Sequence, residues 1–203
     1  IKPVNPNQIL LSLKKNLDSK RLVNEKVTSN YQKEFREISM ALMDVRSLKD
    51  WVDIYQKLVH WEVELDKIDA SGMVEILEMQ KNEANSQFFK HVKNNYELWL
   101  KDGEEKPVLS HTLMKEKVFP HLSNSKPSFF ILIDNLRYDQ WKILQPIVEE
   151  WFKIEEETTF CSILPTATQY SRNSIFSGLT PLDLSKRFPH LWKNDHEEGG
   201  KNL

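Results

Sequence analysis

The chain has 203 residues, 39% of them hydrophobic and 10% aromatic, with 28 Lys and Arg against 30 Asp and Glu for a net charge of -2. That supply of apolar side chains is enough for one or two compact domains and excludes disorder throughout, and the charge balance gives no general case for a nucleic-acid coat or an acidic tail. A single cysteine, Cys161, excludes an intrachain disulfide and fits a reducing compartment; the apolar runs are only a few residues long, too short for a spanning helix or a signal peptide.

Glycine sets the first division. Only Gly72 and Gly103 precede Gly178, so the first hundred residues hold few positions that need unusual dihedrals, and they are expected to be mostly helical. Residues 1–126 carry 20 basic and 19 acidic groups, whereas 127–203 carry 8 and 11. The stretch Ser123, Asn124, Ser125, Lys126, Pro127 reads as the junction between two domains.

In chain order, Asn5 and Pro6 suit the start of a helix, and Ile9, Leu10, Leu13 and Leu17 form its apolar stripe. Lys14, Lys15, Lys20 and Arg21 lie on its other side as a solvated basic patch with no aromatic platform. Ser29 with Gln32 has the spacing of a capping box for a second helix over about residues 30–44, with Phe35, Ile38 and Leu42 on one face. Ser47 with Asp50 marks a third start. From Trp51 the stripe Ile54, Tyr55, Leu58, Trp61, Leu65 and Ile68 keeps a three-four rhythm. A last long helix over about 71–100 carries Met73, Leu77, Ala84, Phe88, Val92 and Trp99 before Lys101, Asp102 and Gly103 stop it. Such stripes bury against one another, so residues 6–100 are expected to form a helical bundle with its tryptophans as core or groove wall. His60, His91, His111 and His121 lack partners at ligand spacing and read as packing or surface residues. Residues 104–126 read as a connector with one short helix around Thr112 to Phe119.

After Pro127 the texture changes. Phe129, Phe130, Ile131, Leu132 and Ile133 read as a strand buried on both faces and ending at Asp134. Asn135 to Tyr138 turn the chain into a helix bearing Trp141, Leu144, Ile147, Val148 and Trp151, and the run from Lys153 to Ile163 reads as a second strand. Strand, helix, strand predicts an α/β domain. An acidic residue at the carboxyl end of the first strand stands where such sheets place ligand chemistry, although loop capping also explains a bare aspartate there. Pro165 ends the second strand, and Thr166 or Thr168 can cap the helix carrying Tyr170, Ile175 and Phe176. The same hydroxyl position also suits a nucleophile, with a metal to stabilise the alkoxide and helix amides to favour a phosphoryl group.

These residues carry a resemblance. Asp134-Asn-Leu-Arg-Tyr-Asp139, followed by Pro165-Thr-Ala-Thr-Gln-Tyr-Ser-Arg-Asn173 and Ser177-Gly178, resembles the opening of a PglZ domain, a branch of the alkaline phosphatase superfamily. The whole chain resembles PorX-like response regulators, in which a receiver, a helical middle domain and a PglZ domain follow in order. Ile1, Lys2 and Pro3 are similar to the end of a receiver. The resemblance implies a receiver tail over 1–27, a helical middle domain and connector over 28–126, and the first part of an alkaline-phosphatase-like αβα domain over 127–203. It implies Asp134 as a metal ligand and Thr168 as nucleophile, with Thr166 as the alternative. Arg137, Arg172, Asn173 and Thr166 are candidates for phosphate contact, Lys2 for the receiver switch, and the Lys2–Pro3 bond for the cis form.

The implied chemistry is hydrolysis of a nucleotide phosphoester with two zinc ions, in a cytoplasmic two-component protein linked to secretion. A sensor histidine kinase and secretion-linked signalling proteins would be its partners. A di-zinc site needs several more Asp and His ligands, yet only His190 and His196 follow Thr168, and Asp195-His196 reads as a surface loop. The chain is therefore expected to be an inactive fragment of such an enzyme. The alternative is a non-catalytic signalling or dimerisation module with a degenerate phosphatase domain and a possible homodimer. Membrane insertion is not expected. A duplex-DNA binder is disfavoured, because the helical part is nearly neutral and shows no helix-turn-helix spacing.

Overall fold

The computed structural model describes residues 6–68, 71–101, 106–122, 127–193 and 196–197. Among the described residues six α-helices follow in order: α1 (Pro6–Met43), α2 (Leu48–Asp66), α3 (Ser71–Leu100), α4 (Tyr138–Glu149), α5 (Thr168–Ser177) and α6 (Pro181–Arg187). A π-helical turn (Met114–Val118) and a 3-10 turn (Phe119–His121) lie between α3 and α4. The chain divides into two compact units, Ile1–Tyr96 with Leu136–Phe152, and Glu97–Asn135 with Lys153–Leu203.

The first unit is a helical bundle. Its core takes Tyr31, Ile38 and Leu42 from α1, Trp51, Ile54, Leu58, Trp61 and Leu65 from α2, and Leu77 and Ala84 from α3. The α2 residues repeat at three and four, which keeps them on one face of a 3.6-residue helix. That helix starts where Ser47 Oγ accepts from the Asp50 amide and the Asp50 carboxylate accepts from the Ser47 amide, a reciprocal box that satisfies donors otherwise left open. Tyr31 packs on Trp61 with ring centroids 5.3 Å apart, and Trp51 meets Phe88 edge-on at 5.4 Å.

One polar side chain lies inside this core. Gln80 is buried, and its amide donates to the Phe35 carbonyl at 3.0 Å and to Ser39 Oγ at 3.1 Å, while its oxygen faces the Tyr31 hydroxyl at 3.5 Å. Paired in this way the amide ties α3 to α1 at one register, since a slip by a turn would strand buried donors.

Two helices expected in α1 are one. No glycine or proline lies between Pro6 and Gly72, and Ser29 sits inside the helix with nothing to break it, so the capping-box spacing of Ser29 and Gln32 goes unused. At 38 residues α1 is about 57 Å long. Leu10, Leu17, Asn24, Tyr31 and Ile38 recur every seven residues along it. Tyr31 and Ile38 are buried in the bundle; Leu10, Leu13 and Leu17 continue the same face exposed.

The α/β expectation is overturned. Among the described residues no strand forms, and one isolated parallel bridge, Leu109 to Cys161, is the only β pairing. The run 129–133 is extended but open, with Phe129 88% and Ile131 79% exposed. A segment becomes a strand only when another chain segment supplies the ladder of hydrogen bonds, and none does so here. The helix expected to cover that sheet, α4, belongs instead to the first unit, where it packs on α2 with Tyr138 and Tyr55 rings 5.7 Å apart.

The second unit centres on α5 and α6, which pack together. Neither Thr166 nor Thr168 caps α5, because its N-cap is Ala167 and no side chain closes that end. Gly178 ends it in the left-handed conformation at φ 68°, donating its amide to the Ser174 carbonyl. The sequence reading passed over α6, although Thr180 caps it by accepting from the Asp183 amide and Pro181 opens it.

Candidate functional site

Asp134 stands in an exposed turn, reversed by Asn135 at φ 61°, a conformation asparagine tolerates better than most residues. Thr168 is the first residue of α5 and is exposed, as is Thr166; Arg172 and Asn173 on the same helix are half-buried. The run leading to Asp134 and the helix starting at Thr168 meet where Phe130 stands edge-on to Phe176, with centroids 6.4 Å apart. Among the described residues, no side-chain hydrogen bond or ion pair involves Asp134 or Thr168. Lys2, and with it the Lys2–Pro3 bond, lies outside the described residues, as does Asp195. The bond preceding Pro165 is cis.

Arg137 belongs to the first unit and is exposed. Its guanidinium holds the Asp139 carboxylate through two bonds, Nε at 2.9 Å and Nη2 at 2.6 Å. The guanidinium keeps the Asp139 carboxyl down at about 2, and the carboxylate raises Arg137 in return. This pair engages two of the five guanidinium N–H donors.

A zinc centre takes at least three protein ligands, and among the described residues no three His, Cys, Asp or Glu side chains converge on one point. Asp134 and Thr168 bring one carboxylate and one hydroxyl, which do not fit a complete shell. Burial pushes the Cys161 thiol up, which favours its protonated form.

The sequence reading missed a group of buried hydroxyls. Ser110 Oγ accepts from the Ile163 amide at 3.0 Å and meets Ser171 Oγ at 3.3 Å, and Ser171 Oγ meets Ser162 Oγ at 2.7 Å. Ser110, Ser171 and Ser174 are all buried. The serines at 171 and 174 share a helix face by spacing, but Ser110 is 61 residues from Ser171, and only folding joins them.

The first unit is thus a helical bundle built on a long helix, and the second holds an exposed threonine at a helix start. Two family models match segments of the chain, and the second runs through α4 of the first unit as well as the second unit. Residues 21–100 match the PorX response regulator linker domain, and residues 113–203 match the BREX system PglZ alkaline phosphatase-like domain. The chain therefore carries a segment similar to a PorX-type linker, followed by a segment similar to a PglZ alkaline phosphatase-like domain. No curated protein matches it. Among the described residues no helix is long and apolar enough to cross a membrane.

Proposed function

We propose that the chain acts as a non-catalytic relay and association module, its PglZ-type segment a degenerate phosphatase part. The observation that carries this reading is α1: a single helix whose apolar face is core at one end and open at the other. Leu10, Leu13 and Leu17 form a seam that another polypeptide must cover, and the unbroken helix ties whatever covers it to the packing of Tyr31 and Ile38. By resemblance to response regulators, a receiver is the covering domain; for the chain alone, a second copy takes its place.

Sedimentation velocity tests the seam. The chain is expected to associate as its concentration rises through the micromolar range, and the double variant Leu13→Glu, Leu17→Glu to remain monomeric with unchanged helical circular dichroism. A wild-type chain that stays monomeric throughout would reject the reading.

A second reading is favoured by the alkaline phosphatase-like match. In it, zinc-dependent hydrolysis of a phosphoester uses Asp134 as a metal ligand and Thr168 as the attacking hydroxyl, with Thr166, Arg172 and Asn173 near the phosphate. Elemental analysis for zinc and turnover of a nucleotide phosphodiester separate the two readings. The catalytic reading expects bound zinc and a loss of about two decades in turnover for Thr168→Ala; a chain without zinc or turnover leaves the relay.

A further inference from the structure

Within the second unit, the short segment 108–112 is clamped against two others. The Cys161 amide donates to the Val108 carbonyl at 2.8 Å, and the Ile163 amide donates to Ser110 Oγ at 3.0 Å. The segment closes on itself through the Thr112 amide to the Leu109 carbonyl at 2.9 Å and the Leu109 amide to Thr112 Oγ1 at 3.1 Å. Below it runs one face of α5, Ser171, Ser174 and Gly178, spaced three and four apart. Ser110 touches Ser171, and the His111 carbonyl oxygen lies 3.7 Å from where a Cβ on Gly178 would stand. Leu109, Ser110, Ile163 and Ser174 are almost wholly buried.

Two polar atoms of this contact are buried without a partner, His111 Nδ1 and Ser174 Oγ. A neutral imidazole tolerates this at modest cost, since Nδ1 can carry a lone pair. An imidazolium must donate from both ring nitrogens, so a proton gained by His111 leaves a charged donor facing no acceptor unless water reaches it.

We propose that residues 109–112 are a proton-operated latch on α5: closed while His111 is neutral, and released from residues 161–163 and from α5 when His111 takes up a proton. Burial lowers the affinity of His111 for that proton, the Lys106 charge lowers it further, and the Asp183 carboxylate of α6 and Glu116 of the π-helical turn oppose both. From α5 itself the Ser174 hydroxyl and the Gly178 backbone complete the contact. The sign follows from linkage. A histidine with a depressed folded value binds fewer protons closed than open, so the closed state is at full strength above about pH 6.5 and weakens as pH falls below it. The latch is independent of whether α5 serves a relay or a catalytic hydroxyl, because it governs only how firmly that helix is held.

The test uses the whole chain, isotope-labelled for NMR. The His111 ring is followed through a pH titration, together with hydrogen exchange of the Cys161 and Ile163 amides corrected for intrinsic pH dependence. His111 is expected to titrate below about 6.5, and the protection of both amides to fall about tenfold for each unit of that depression as pH drops through the window. In His111→Gln the protection should no longer depend on pH. A ring titration at or above the ordinary value overturns the latch even if the variant fails to fold, as does a pH dependence that survives the substitution.

Discussion

Replacing Ile38 with alanine is expected to destabilise the bundle by about 2–5 kcal/mol, the range for a large aliphatic side chain removed from a packed core. Ile38 is fully buried where α1 meets the other two bundle helices, in one cluster with Leu42, Leu58 and Leu77. The loss has two parts, the transfer free energy of the removed carbons and the cavity that rigid aromatic neighbours such as Tyr31 and Trp61 cannot close. Met43, five residues on and 86% exposed, supplies the contrast: Met43→Ala is expected within about 0.5 kcal/mol of wild type. Urea unfolding followed by circular dichroism checks both. Equal effects at the two positions would mean that α1 does not pack through the face assigned to it.

The second large effect is alkaline. Tyr31 is fully buried, and desolvation pushes its phenol up to about 12. The unfolded chain ionises this group near 10, so from there upward the unfolded state loses its proton first. Stability is full below about pH 10 and declines as pH rises towards 12, by up to roughly 3 kcal/mol for a two-unit displacement. Tyr31→Phe should remove this decline. Its cost at neutral pH is expected to be small, about 1 kcal/mol, because the hydroxyl faces Gln80 only across a long 3.5 Å contact. Urea midpoints at about pH 9 and about pH 11.5 for both proteins measure the difference, with lysine deprotonation common to both. A parallel loss in the two would place the phenol in contact with water.

The first effect belongs to a stripe that local pattern already described, whereas the burial of Tyr31, one turn before Phe35 on the same helix, is shown only by the fold. The three-four rhythm from Trp51 to Leu65 and the Ser47–Asp50 box needed nothing outside α2 to act, because helix hydrogen bonds and caps close within four residues. The fusion of two expected helices into α1 was also open to inspection. Ser29 and Gln32 have the spacing of a box, but a box starts a helix only where the chain before it is not already helical, and the residues ahead hold no breaker. The Thr180, Pro181 and Asp183 signal of α6 is of the same local kind and was simply not read.

Position points to Asp134 and to Thr166 or Thr168, and the choice of Thr168 as nucleophile is what the PglZ resemblance implies; the family model over residues 113–203 matches that segment. Their chemistry was never legible in spacing, since a metal shell is assembled from side chains distant in sequence.

By itself the sequence determined the helical bundle, the buried face from Trp51 to Leu65 in α2 and the Ile38 and Leu42 face of α1, and the two families its segments resemble. Tertiary structure decided the rest. It left 129–133 extended and unpaired, because an apolar run carries no ladder partner of its own, and it gave α4 to α2 through Tyr138 and Tyr55. It also brought Ser110 and His111 onto the Ser171, Ser174 and Gly178 face of α5, across some sixty residues of chain. The physical reason is common to all three: a hydrogen bond that closes within a turn is written in adjacent residues, whereas one that closes across the fold depends on which surfaces come together.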